Sequence, residues 1–304
     1  FFVFLDLHVM DGCVMTEADG TTRIDIEAAI DENKMRLIEV KMSLIDLVSE
    51  NPEELDDIFL LRYLLSFPNN EACIEAIRSA VKYRKENASW LASAKEGDRT
   101  KAPDYDELKI HMIAGTHKTT VHGAPLLFIR AGLSDTNITM QCVTEEQLVK
   151  YVTYEKEVSF WICDRISRKE GKLTKMLAIQ DLTNANFLWN DNRFFSALGA
   201  SSKVSDMIHP QLVQRAVILN AGEGIKILWQ VARLFMSKKT MEKICVCTGF
   251  SLESTASKCP YASKWTTTAE LPSFVGGSCV CEEGCVAGVP NDFVGKRNQG
   301  MAKK

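Results

Sequence analysis

The chain has 304 residues, 46% of them hydrophobic and 25% charged, with a formal net charge of −4. That length allows one large domain or two smaller ones with ample core. The slight acidity offers no clustered basic face for nucleic acid, and no apolar run approaches the ~18 residues of a membrane-spanning helix. Several of the ten cysteines lie inside apolar runs (Cys163, Cys245, Cys247), where a free thiol acts as a small hydrophobe, so a reducing cytosol is expected rather than a disulfide scaffold.

Phe1-Phe2-Val3-Phe4-Leu5 is apolar but short and meets Asp6 at once, so no signal peptide is expected and residues 1–24 read as a disordered leader. Over 25–48 apolar residues recur at helical spacing (Ile30, Met35, Ile38, Met42, Ile45). Asn51-Pro52-Glu53-Glu54 predicts a helix start, with Asn as N-cap and carboxylates against the dipole, leading into a helix over 55–65. Another helix follows Pro68-Asn69-Asn70, with Cys73, Ile74, Ile77 and Val81 on one face. No strand signal appears before residue 110, which predicts an all-helical unit over 25–95. The charged stretch 96–105, with Gly97 and Pro103, reads as a linker. Beyond it, 126–129, 176–179, 216–219 and 244–247 are short apolar runs without alternation, separated by helix-length segments such as 145–166. Such a pattern predicts an α/β domain over 105–285, a mostly parallel sheet covered by helices, before a tail at 286–304.

Between the last two apolar runs, Asn220-Ala221-Gly222 breaks the chain and a helix-length segment follows. Over 225–236 only Lys226, Gln230 and Arg233 are polar, a single narrow stripe; the remainder includes Ile225, Leu228, Trp229, Ala232 and Phe235. Such a helix is either plain core or the wall of a cavity. Ile218-Leu219-Asn220-Ala221 and Thr240-x-x-Lys243-Ile244 resemble the gate region of the CRAL-TRIO family of lipid-transfer proteins. Leu60-Leu61-Arg62-Tyr63-Leu64 with Tyr83-Arg84 is similar to that family's N-terminal helical module. Gly123-Ala124-Pro125-Leu126-Leu127, Ile179-Gln180-Asp181-Leu182, His209-Pro210 (for the usual Tyr-Pro) and Leu271-Pro272 through Gly276-Gly277 follow in the family's order.

The resemblance implies a cavity for one lipid and a helix, 225–236, that opens at a membrane on Gly222 and Gly224. A phospholipid carries roughly thirty acyl methylenes worth about 0.8 kcal/mol each, so only an enclosed apolar cavity offsets an extraction cost on the order of 25 kcal/mol. In the phosphatidylinositol-transfer branch a Thr and a Lys three residues on contact the headgroup, and Thr240 and Lys243 match them. The Glu that completes this set directly after the Pro is Gln211 here, whose amide can bond inositol hydroxyls but brings no charge. The phosphatidylcholine branch carries two hydroxyl residues on the central strand. Met176 and Ala178 stand at those positions, on one face of the strand, and a second ligand is expected to be more apolar than phosphatidylcholine.

The expectation is a monomeric cytosolic protein that binds phosphatidylinositol and exchanges it at membrane surfaces, without cofactor or metal. A regulatory lipid sensor holding a sterol-like or isoprenoid ligand is the alternative. Gly222-Glu223-Gly224 resembles the start of a dinucleotide fingerprint, but Ile227 replaces the third glycine. Cys279-x-Cys281-x3-Cys285 lacks the usual Cys-x2-Cys pair and has no His nearby in sequence; the resemblance implies a local structural role for this patch. No Gly-x-Ser-x-Gly, phosphate loop or His-Glu-x-x-His motif exists, so no enzyme is expected; Asp181, directly after a strand, reads as the cap of the next turn.

Overall fold

The computed structural model describes residues 23–185, 191–220, 243–246, 265–286 and 288–293. Six helices come first: α1 (Ile26–Glu32), α2 (Lys34–Ser43), α3 (Ile45–Glu50), α4 (Asp57–Leu64), α5 (Asn70–Glu86) and α6 (Ala88–Leu91). The periodic stretch 25–48 is thus three short helices, separated at Asn33 and Leu44, where the backbone leaves helical geometry. The next helix starts later than Asn51 suggests, because Asp56 is the residue whose carboxylate caps it, accepting from the Phe59 N–H at 3.0 Å. Every residue of α4 from Phe59 to Leu64 is buried, which makes it the axis of the helical region.

Then follow α7 (Tyr105–Leu108), β1 (Ala114–Thr119), β2 (Pro125–Ile129), α8 (Thr136–Cys142), α9 (Glu145–Glu170), β3 (Met176–Asp181), α10 (Asn192–Ile208), β4 (Val213–Leu219) and β5 (Ile244–Val246). The strands form one sheet in chain order, β1 antiparallel to β2 and all the others parallel. The four apolar runs are β2 to β5. β1, Ala-Gly-Thr-His-Lys-Thr, is an edge strand too polar to read as one. Helix α9 opens with a capping box between Thr144 and Gln147 and stops at Gly171 in the left-handed conformation (φ 65°).

The 96–105 segment is packed rather than extended. Arg99 pairs with Glu155 and donates to Ser159 Oγ at 3.1 Å, and the Tyr154 hydroxyl donates to the Asp98 carbonyl at 3.0 Å. The helical region also shares its core with the sheet: Leu60, Tyr63 and Ile77 pack in one cluster with Phe160 of α9 and Met176 of β3. A largely buried polar network fixes that junction. Glu157 accepts from Arg84 Nε at 2.8 Å, from Trp161 Nε1 at 2.8 Å and from His209 Nε2 at 2.6 Å, while Ser205 Oγ lies 3.0 Å from the other imidazole nitrogen. Burial would raise the Glu157 pKa, but Arg84 and His209 override it and hold the carboxyl below its ordinary range. His209 is held below its ordinary range chiefly by its own burial.

Candidate headgroup and lipid site

Parallel strands start at the same edge of a sheet, and here that edge gathers positive charge. Lys175 immediately precedes β3, Gln211 stands two residues before β4, and Lys243 immediately precedes β5, its carbonyl accepting from the Ala216 N–H at 2.9 Å. Burial, and after it the positive charges of Lys243 and Arg62, pull the pKa of Lys175 down to about 8. The charges acting on Lys175 are thus both positive, an arrangement that an anion would relieve.

Arg62 reaches this region from α4 and is fully buried. Its Nη2 donates to Ser167 Oγ at 2.9 Å, its Nε lies 3.3 Å from Asp164 Oδ1, and its guanidinium sits 5.2 Å from the Phe160 ring centroid. Among the described residues neither its Nε nor its Nη1 has a hydrogen-bond partner. Asp164 is shared with Arg168, whose Nε lies 2.6 Å from its other oxygen. Gln211 is held in the left-handed region (φ 60°), a position that costs a non-glycine residue about 1–2 kcal/mol. Its Nε2 donates to Ser66 Oγ at 2.9 Å, and Ser66 Oγ donates in turn to the Arg62 carbonyl at 2.8 Å. Gln211 is therefore tied to the end of α4 that carries Arg62.

The two faces of the sheet differ. One presents Leu126, Phe128, Ile179, Val217 and Cys245, all at most 1% exposed and sealed by Trp265, Leu271, Val275 and Val286. Across the other run two registered rows, Leu127–Ala178–Ala216–Ile244 and Ile129–Gln180–Ile218–Val246. Small alanines fill the middle of the first row, and Leu127, Ile129, Ile244 and Val246 are only half-buried. The result is an apolar floor with a shallow centre. Met176 shares this face but packs into the core with the N-terminal helices, whereas Ala178 lies on the floor. At the far end of the strands Asp181 caps its turn as expected: its Oδ1 accepts from the Thr183 N–H, the Thr183 hydroxyl and Asn220 Nδ2 at 3.0, 2.6 and 2.8 Å.

Of the residues expected from the sequence, Lys243, Gln211, Met176 and Ala178 are placed as above. Thr240, Gly222, Gly224, Ile225, Leu228, Trp229, Ala232 and Phe235 lie outside the described residues. Sequence reasoning misses Lys175 and Arg62 as site residues; Arg62 has a visible signal, a lone charge within the otherwise apolar stretch 58–65.

Residues 110–263, half of the chain, match the CRAL/TRIO domain family. The chain belongs to that family. A protein of Arabidopsis thaliana, phosphatidylinositol/phosphatidylcholine transfer protein SFH11, is 25% identical over 294 residues, which cover 92% of this chain and 70% of SFH11. Phosphatidylinositol/phosphatidylcholine transfer protein SFH12, from the same plant, is 30% identical over 193 residues, 60% of this chain and 33% of that protein. The chain thus spans less than the full length of either, and only a third of SFH12. The crystal structure of Sfh5 superposes with a TM-score of 0.53 over 74% of this chain and 82% of that one, at 11% identity, a likeness of fold. Membership of CRAL/TRIO carries lipid binding as the general function, and no helix among the described residues is long and apolar enough to cross a membrane.

Proposed function

We propose that the protein holds one phosphatidylinositol molecule, its acyl chains over the Ala178–Ala216 floor and its phosphodiester at the basic strand edge, and exchanges it with membrane surfaces. The cluster of Lys175, Lys243 and Arg62 beside Gln211 carries the reading. A buried phosphate needs cations and donors, and a depressed lysine next to two further cations is stabilised when a phosphate arrives. The similarity to plant proteins named as phosphatidylinositol/phosphatidylcholine transfer proteins supports this class of cargo. Phosphatidylcholine is the poorer ligand, since Ala178 on the floor offers no hydroxyl to its phosphate, and a missing bond costs about 1–3 kcal/mol.

Two measurements test the proposal. Mass spectrometry of lipid extracted from the purified protein should find phosphatidylinositol. Transfer between vesicles should fall roughly tenfold to a hundredfold in Lys243→Ala, the worth of one charge-assisted hydrogen bond of about 1.5–3 kcal/mol. Wild-type transfer in that variant, or a preparation that takes up no phosphatidylinositol, overturns it.

A further inference from the structure

The cysteine patch after Gly276-Gly277 has an unexpected neighbour. His117, on edge strand β1, places its Nε2 3.4 Å from Cys279 Sγ across 162 residues of sequence. Cys279 Sγ lies 3.9 Å from Cys281 Sγ, and the ligand atoms of His117, Cys279, Cys281 and Cys285 all fall within 4.8 Å of one another. We propose that these four residues form a closed tetrahedral site for a zinc ion.

The distances fit the ion. With Zn–S near 2.3 Å and Zn–N near 2.0–2.1 Å, a tetrahedron has S···S edges of about 3.8 Å and S···N edges of about 3.5 Å. A disulfide does not fit: the thiols are too far apart for the ~2.05 Å bond, and three of them cannot all be paired. Three sulfurs and one imidazole select a thiophilic, tetrahedral ion, and four protein ligands leave no position open for chemistry.

The surroundings are built to hold the sulfurs. Asn291 Nδ2 donates to Cys285 Sγ at 3.3 Å and to the Cys279 carbonyl at 3.0 Å, and its Oδ1 accepts from the Cys285 N–H at 3.1 Å. That amide orients two of the ligands and supplies a donor to one sulfur, as outer-sphere groups do in metal sites. The turn between Cys281 and Cys285 closes through Gly284 in the left-handed region (φ 86°), where a Cβ would stand 2.0 Å from the Val289 carbonyl oxygen. Only glycine lets that turn bring the last sulfur round.

Zinc here would clamp the C-terminal strap to the sheet's exposed edge. The strap is the segment that seals one face, through Trp265, Leu271, Val275, Cys285 and Val286. The site lies on the face opposite the lipid floor, so the inference stands apart from the lipid reading.

The test uses the full chain. Protein purified without chelator should contain one zinc per chain by elemental analysis. After removal of metal under reducing conditions, titrated Co²⁺ should give the intense thiolate charge-transfer and tetrahedral d–d bands, displaced by Zn²⁺. His117→Ala should weaken Zn²⁺ binding at least tenfold and alter the cobalt spectrum, His117→Cys should restore binding, and Cys142→Ser should change neither. A folded metal-free chain that binds no Zn²⁺ overturns the proposal. So does a six-coordinate cobalt spectrum, a stoichiometry and affinity unchanged in His117→Ala, or a metal-free native protein with a disulfide inside the patch.

Discussion

Raising the pH from 7 to 9 is expected to weaken phosphatidylinositol binding roughly tenfold, and Lys175 is the reason. Its pKa sits at about 8, pulled down by burial and then by Lys243 and Arg62, so at pH 7 about nine-tenths of the side chain is ammonium. A bound phosphodiester favours the charged form and draws the pKa back toward the ordinary 10.5. The bound state therefore has the higher pKa. Affinity is on a plateau below about pH 8 and falls by up to tenfold per unit until the bound lysine titrates as well. At pH 9 about nine-tenths of the free protein has a neutral Lys175, which corresponds to roughly 1.4 kcal/mol of lost affinity. Displacement of a fluorescent phosphatidylinositol at pH 7, 8 and 9 measures this. Lys175→Arg provides the control, because arginine stays protonated throughout and should flatten the profile. A flat wild-type profile, or an equal slope in Lys175→Arg, refutes the assignment of Lys175 to the headgroup site.

Gln211→Glu should strengthen inositol-lipid binding or leave it unchanged, since a carboxylate there can accept two hydroxyl bonds; outright loss in a lipid-binding assay would show that Gln211 does not face the headgroup. Met176→Ser should cost about 2–4 kcal/mol of stability whatever lipid is bound, read as a drop of several degrees in thermal melting, because Met176 packs in the helical core. Ala178→Thr, on the floor, should instead improve competition by phosphatidylcholine, and equal displacement by both lipids in the parent protein would remove the basis for this. Acid should destabilise the fold in two steps. His209 and Glu157 both have folded pKa values below their ordinary 6.5 and 4.5, so the unfolded chain takes up protons first, and stability is lost as pH falls below about 6.5 and again below about 4.5. Glu157→Gln leaves the Arg84 charge buried without its partner, which should cost about 3–5 kcal/mol in denaturant titration.

The parts of the fold visible in the sequence were those where burial leaves one kind of residue. β2 to β5 present apolar residues to both faces, so they read as unbroken apolar runs, and α9 carries a capping box ahead of a long periodic stretch. β1 gave no signal because an edge strand needs only a few inward residues; Gly115 is its one buried position. Residues 96–105 read as a linker because their charges suggest solvent, yet Arg99 meets Glu155 and Ser159 on α9, which no local pattern announces. His117 escaped for the same reason. It lies on that unreadable edge strand, and only the antiparallel pairing of β1 with β2 carries it to the cysteines.

The candidate headgroup site follows from topology more directly than from motif. In a parallel sheet the residue just before each buried strand emerges at a common edge, so charges at those positions are brought together whatever their separation along the chain. Lys243 precedes the apolar run that became β5 and Lys175 precedes the run that became β3. A family pattern drew attention to the first, whereas the positional rule finds both. It also accounts for Gln211, which lies two residues before β4 and is bonded to the end of α4 through Ser66. Arg62 adds the remaining charge from a different direction. The last turns of α4 are buried all round, so a cation there has no solvent to face and must meet either an acid or an anion. Asp164 supplies the acid but divides it with Arg168, which leaves Nε and Nη1 of Arg62 without a hydrogen bond among the described residues. A buried guanidinium, a lysine with a depressed pKa and a second lysine thus lie close together near the start of the parallel strands. Under the proposed function, the lipid phosphate would sit at this strand edge, beside Lys175, Lys243 and Arg62.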